Sequence, residues 1–165
     1  MDGAQTRLMS LIGDIAGAYR APSNSMQVQI ERGITEPQTL FYGMLFGVIN
    51  LIASFPRVML SAPDQDTFTG MMAGLFISYV FFLPLMLYGL AGLLHWVLLK
   101  FDGQASYAEM RRALNWAAVV TAPFVLLSGA SYALNNSTLT SILNLITATI
   151  FLWQLRETAK QVEYT

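Results

Sequence analysis

The sequence predicts an all-α fold, a polytopic membrane bundle of four transmembrane helices preceded by one or two N-terminal amphipathic surface helices. Hydrophobic residues make up 55 % of the 165 and charged residues 12 %, about half the charged share of a typical soluble domain. Mean hydropathy is +0.49. Nine basic and ten acidic side chains are too few to give a water-soluble particle of this size a polar skin. A lipid-facing surface removes that need, because it is as apolar as the core beneath it. The remaining observation is placement: the charges gather between long uncharged runs.

Composition also excludes whole classes of chemistry. The net charge is −1 with scattered basic residues, which leaves no nucleic-acid footprint. Without cysteine there are no disulfides, no thiolate nucleophile and no cysteine-ligated metal. Met1 to Gln5 carry no basic residue and Asp14 interrupts the apolar stretch that follows, so no cleaved signal peptide is expected.

The first segment is amphipathic. Leu8, Leu11, Ile12, Ile15, Ala16 and Tyr19 follow the spacing of one helical face, with Arg7, Ser10 and Asp14 elsewhere. It is too short and too polar to span, so it is expected along the membrane surface or against the bundle. Ala21 to Asn24 break it. Met26 to Arg32 fit a strand by alternation and a helix by the shared face of Met26, Ile30 and Ile34. A short interfacial helix ended by Gly33 is the expectation.

Thr35-Glu36-Pro37-Gln38 reads as a helix start. From Gln38 to Phe55 there is no charge, enough for a first span, which Pro56, Arg57 and the Ser61 to Asp64 turn are expected to close. Phe68 to Leu99 is also uncharged. At about 1.5 Å per residue it reaches about 48 Å, more than the ~30 Å hydrocarbon core. With Pro84 near its middle and no polar turn, it reads as one long, kinked or tilted helix. Phe101 to Gln104 turn the chain, and Ser106 with Glu109 forms a capping box. A third span follows over Ala113 to Leu134, with Pro123 inside. Asn135 to Thr138 form a tight loop, and Leu139 to Leu155 form the last span. The implied organisation is 1–34 interfacial segment, 35–156 membrane domain and 157–165 polar cytoplasmic tail.

Four spans place Arg7, Arg20, Arg32, Lys100, Arg111, Arg112, Arg156 and Lys160 on one side and Arg57 alone on the other. A fifth span made by splitting at Pro84 would weaken this asymmetry. The positive-inside rule therefore puts both termini in the cytoplasm. Trp96, Trp116 and Trp153 fall close to Lys100, Arg112 and Arg156. They are read with Arg111 and Arg112 as anchors of the cytoplasmic interface.

No acid, lysine or arginine lies inside an expected span, and no nucleophile–base pair, metal-ligand spacing or phosphate loop is present. The chain is accordingly read as not an enzyme, with no cofactor, no metal and no catalytic residue. His95, the one histidine, reads as an interfacial side chain. Gly43 and Gly47 in the first span, and Gly70, Gly74 and Ser78 in the second, are small-residue stripes that let backbones approach. They are candidate contacts within the bundle or with a partner. Asn50, Ser54, Ser78, Asn115, Thr121, Ser128, Asn144 and Thr147 either bond across helices and to their own backbone or line a path for a neutral solute.

The stretch from Gly103 to Trp116 is a glycine loop running into a basic helix, with Pro123 seven residues on. An amphipathic segment and a proline-punctuated pair of spans precede it. Together these resemble the Yip (Ypt-interacting protein) domain family of small multi-spanning membrane proteins, bacterial branch, over roughly Leu8 to Ala159. Members of that family usually have five spans and four are read here, so any role of a fifth does not carry over. The resemblance implies a helical membrane fold, and its eukaryotic members are linked to vesicle trafficking and membrane-anchored small GTPases. The functional expectation is a non-enzymatic integral membrane scaffold or accessory protein in the bacterial inner membrane. Its partners would be membrane lipids and another integral membrane protein or a second copy. The alternative is a small channel or carrier for an uncharged or lipid-like solute.

Overall fold

The computed structural model describes residues 11–101 and 103–163. Arg7, Leu8 and Ser10 of the amphipathic segment, and Asp102 of the central turn, lie outside them. The described residues form helices without strands: α1 (11–18), α2 (Pro22–Glu31), α3 (Glu36–Ser61), α4 (Gln65–Phe76), α5 (Leu83–Leu99), α6 (Tyr107–Ser131) and α7 (Ser137–Glu163). A π-helical segment, Ile77–Phe82, joins α4 to α5, so the chain from Gln65 to Leu99 is helical throughout. Four helical stretches are long and apolar enough to cross a membrane, which fits a multi-pass membrane protein.

The local chemistry accounts for most boundaries. Pro22 opens α2 at the first helical position, where its missing N–H is no loss. The helix therefore begins four residues before Met26, inside the segment expected to be a break. Gly33 stops it with φ +62, a conformation costly for any residue with a Cβ. Gln38 Oε1 accepts the Thr35 N–H at 2.9 Å at the start of α3. Ser106 Oγ and Glu109 form the expected capping box of α6. Asn135 adopts φ 48, and Asn136 Oδ1 then accepts the Leu139 N–H at 3.0 Å to start α7.

Two of the span ends differ from the sequence reading, and the expected kink has its own form. The first span does not end at Pro56. The helix runs through it to Ser61 and stops at extended Ala62, which precedes Pro63. The last helix likewise does not end at Leu155 but continues to Glu163, because Thr158 and Val162 remain buried against the bundle. The kink expected at Pro84 takes the form of the π segment before it. Leu83 N–H reaches back to the Ser78 carbonyl, and Pro84 has no N–H with which to extend that register to Tyr79.

α6 is the centre. It packs on α3, α5 and α7, and every residue from Ala113 to Ala122 is buried. Four of those ten are alanine, which lets neighbouring backbones come close on every side. By contrast α7 has 11 % of its apolar window buried and the long α4–α5 helix 17 %. Those helices turn most of their surface outward.

α1 and α2 fold back on each other around Tyr19 to Ala21. Gly13 and Gly17 face Asn24 and Val28 across a crevice of about 250 Å³. The pair docks on the bundle. Trp116 Nε1 donates to Ser25 Oγ at 3.1 Å and Gln154 Nε2 donates to the Ala18 carbonyl at 3.0 Å. Arg32 pairs with Asp14 across the open end. Leu11, Ile15 and Tyr19 pack inward as expected, while Ile12 and Ala16 of the same expected face point outward.

Both small-residue stripes can now be placed. A Cβ at Gly47 would overlap the Tyr79 carbonyl oxygen, and one at Gly43 would stand 2.6 Å from Asn115 Oδ1. Gly129 of α6 has the same relation to the Ala53 carbonyl. In each case a Cα hydrogen faces an oxygen of the neighbouring helix, a weak contact typical of close helix pairs. Gly70 and Gly74 have nothing within 4 Å of such a Cβ. Gly47→Ala and Gly129→Ala are therefore expected to destabilise by about 1–3 kcal/mol, the usual cost of overpacking. Gly70→Ala and Gly74→Ala should change the melting temperature in detergent little. Equal losses from all four would contradict this assignment.

Candidate functional site

The end of the bundle where α3 and α6 begin and α5 and α7 finish carries most of the charge. Its fixed point is Arg111. The guanidinium donates to Glu36 Oε1 at 2.7 Å and lies 4.4 Å from the centre of the Tyr107 ring and 5.2 Å from that of Tyr88. Tyr107 in turn donates to the Tyr88 carbonyl at 3.1 Å, and its ring sits 6.1 Å from His95. Three helices are thus tied at one level by one cation, with ring faces on its planar surface and a carboxylate on its edge. Arg112 is half-buried nearby. This is an architectural clasp, with one guanidinium N–H on Glu36 and two tyrosine rings beside its plane.

The Arg111 clasp also sets the height of the neighbours. Because the Tyr107 side chain stands opposite Tyr88 and Gly92, α5 overruns the start of α6 by about 10–16 Å at 1.5 Å per residue. The chain then doubles back, with the Phe101 and Gly103 N–H groups both on the Leu98 carbonyl at 2.8 and 3.0 Å. The end of α7 latches this loop, Glu163 Oε2 accepting the Gln104 N–H at 2.8 Å. Gly103 is required there, since a Cβ would come within 2.9 Å of both that carboxylate and the Leu98 carbonyl. Between the overhanging end of α5 and the end of α7 lies a groove of about 980 Å³ with Met110 of α6 in its lining.

The tryptophans separate into two kinds. Trp96 and Trp153 are exposed, at 57 % and 40 %, and Lys100 lies over the Trp96 ring. Trp116, expected to join them as an interface anchor, is 1 % exposed. It packs against Tyr42 and bonds to Ser25, so it is a core residue holding the α1–α2 pair. The sequence signal for this was present in part, since Trp116 sits within an alanine-rich run rather than beside leucines.

Most hydroxyl and amide groups of the spans turn to their own helices. Asn50, Ser54, Ser78, Thr121 and Thr147 donate to the carbonyl four residues back at 2.7–2.9 Å. Asn115 does the same, leaving its buried Oδ1 for Gly43. Across helices Ser128 donates to Asn144, and Ser131 and Thr140 share a bond of 2.8 Å. Neither of the two cavities described is lined by Asn50, Ser78 or Asn144. Gly43 and Gly47 are brought into the bundle, whereas Gly70, Gly74 and Ser78 stay on the outside of α4 and the π segment.

No protein-family model, no curated protein and no solved structure matches this chain.

Of the two placements expected for the first segment, the structure takes the one against the bundle, and it gives Tyr19 a polar contact that periodicity could not specify. The phenol donates to the Val120 carbonyl, the ring meets Phe124 edge-on at 5.6 Å, and burial pushes the hydroxyl from 10.0 up to about 12. A folded-state value above the unfolded one means the fold prefers the neutral phenol. That contribution is complete below about pH 10 and is lost as the pH rises towards 12. In an absorbance titration, Tyr19→Phe should remove a phenol that ionises near pH 12. If the lost component instead ionises at the ordinary value, the burial of Tyr19 is wrong.

Proposed function

We propose that this chain is a non-enzymatic scaffold or accessory protein of a membrane complex, of the Yip type, with the Arg111 end and both termini in the cytoplasm. The observation that carries this reading is the second small-residue stripe. Gly70 and Gly74 stand on an outward helix face with open space beside them, and Ser78 continues the line with its hydroxyl already bonded to the Gly74 carbonyl. Against lipid, glycines contribute less packing than leucines would, and they cost helix stability. Against another helix they allow close backbone contact. A helix of another integral membrane protein, or of a second copy, is the surface this stripe fits.

Further support comes from the interior. Polar side chains in the spans bond to their own backbone or to one another, which favours a packed bundle over a conducting one. The carrier alternative would need those groups turned towards a shared cavity.

Mass spectrometry of material that co-purifies with the tagged protein in mild detergent should recover a stoichiometric membrane partner or a dimer. Gly70→Leu with Gly74→Leu should abolish that recovery without lowering the melting temperature. Recovery of the lone protein from native membranes would sink the scaffold reading. Reporter fusions should place the C-terminus in the cytoplasm, and an external reporter signal would overturn the orientation.

A further inference from the structure

The groove between the ends of α5 and α7 combines two features that the clasp and the glycine stripes do not use. Its deeper walls are apolar, with Leu94 and Leu98 on α5 facing Leu152 and Leu155 on α7. Its mouth carries Arg156 and Lys160. Both cations lean on the single carboxylate of Glu157, at 3.1 and 3.4 Å, and keep 68 % and 46 % of their side-chain surface exposed. Glu157 is only 22 % exposed and takes one N–H from each cation, so further donors of Arg156 and Lys160 remain open to the groove. The two acids of the lining are each already engaged by a backbone amide, Glu109 by Ser106 N–H at 2.7 Å and Glu163 by Gln104 N–H at 2.8 Å.

The height of the groove is marked by two aromatic rings. Trp96 and Trp153, both exposed, sit in sequence beside the apolar wall residues. Such rings favour the boundary between headgroups and acyl chains. Leu93 and Leu152 are 55 % and 63 % exposed, so the apolar walls run on into the outward faces of their helices. A ligand entering sideways from the bilayer would meet leucines first and cations above them.

We infer that this groove binds one membrane glycerophospholipid, with its phosphate at Arg156 and Lys160 and an acyl chain between Leu94–Leu98 and Leu152–Leu155. The open donors of Arg156 and Lys160 select the phosphate, and the cancelling charges of the lining, with Glu109 and Glu163 opposite them, suit a headgroup of low net charge. The two exposed cations supply charge-assisted donors, the strong class of hydrogen bond. The apolar walls select a lipid over a soluble phosphate, since only a lipid fills both parts of the groove. Ammonium headgroups gain a further contact from the carboxylate of Glu163 at the rim. This site rests on the membrane placement alone and not on the scaffold reading, because lipid retention and partner recovery are separate measurements.

The test is native mass spectrometry of the full-length delipidated protein titrated with phosphatidylethanolamine, phosphatidylglycerol, diacylglycerol and inorganic phosphate. One phospholipid should be retained, diacylglycerol should bind at least about tenfold more weakly, and phosphate at millimolar concentration should not displace the lipid. Arg156→Gln with Lys160→Gln should weaken phospholipid retention by about tenfold, the scale of one or two charge-assisted contacts. Leu152→Trp, at an exposed position that obstructs the chain path, should do the same with unchanged helicity and melting temperature. Equal retention of diacylglycerol, displacement by phosphate, or retention undiminished in both folded variants would overturn the site.

Discussion

Residues 113–122 of α6 have no exposed side, and a helix enclosed in this way dictates where its neighbours can stand. In a bilayer the hydrophobic effect does not push helices together, because lipid is as apolar as leucine. Close contact and interhelical hydrogen bonds must do so. The alanines of α6 supply the first, and its glycine at 129, meeting the Ala53 carbonyl, supplies the tightest approach to α3. Gly47 repeats this on the other side of α3, against the Tyr79 carbonyl that the Pro84 ring leaves without an N–H partner in the π register. A defect in the ladder of one helix is thus the docking point of another.

The two ends of the bundle then differ in construction. At the Asn135–Asn136 end the turn between α6 and α7 is tight, with Asn135 at φ 48 and Asn136 capping α7. At the other end, Arg111 fixes α3, α5 and α6 at one level and forces α5 to overrun. The overhang creates the groove, the groove needs Gly103 to let the returning loop pass, and the latch to Glu163 keeps α7 helical beyond the apolar span. The proposed lipid site is a consequence of this mismatch in helix length. A clasp one turn further along α5 would shorten the overhang by about 5 Å.

The α1–α2 pair shows how an amphipathic segment becomes part of a core. Tyr19, Ser25 and Ala18 reach Val120, Trp116 and Gln154, so the pair covers the α6–α7 seam that the four long helices leave open. Lipid against that seam would expose the polar groups of Gln154 and Trp116 to hydrocarbon, where an unpaired group costs several kcal/mol. The short helices give the Gln154 Nε2 and Trp116 Nε1 donors their partners instead.

What the sequence by itself determined was set by local chemistry and by length, though Pro22 and Pro56 read as breaks and lie within helices. Uncharged runs marked the four spans, the Ser106–Glu109 pair marked the start of α6, Gly33 marked a helix stop, and proline 84 marked a disturbed helix. These follow from neighbouring residues and the thickness of a bilayer, so no tertiary knowledge is needed. Only the tertiary structure decided that α6 is central, that Trp116 is inside while Trp96 and Trp153 are outside, and that Gly43 and Gly47 are packed while Gly70 and Gly74 are free. The physical reason is that lipid and protein interior favour the same residues. A membrane helix is apolar on every face, so its sequence carries little record of which face meets a neighbour, and packing alone assigns it.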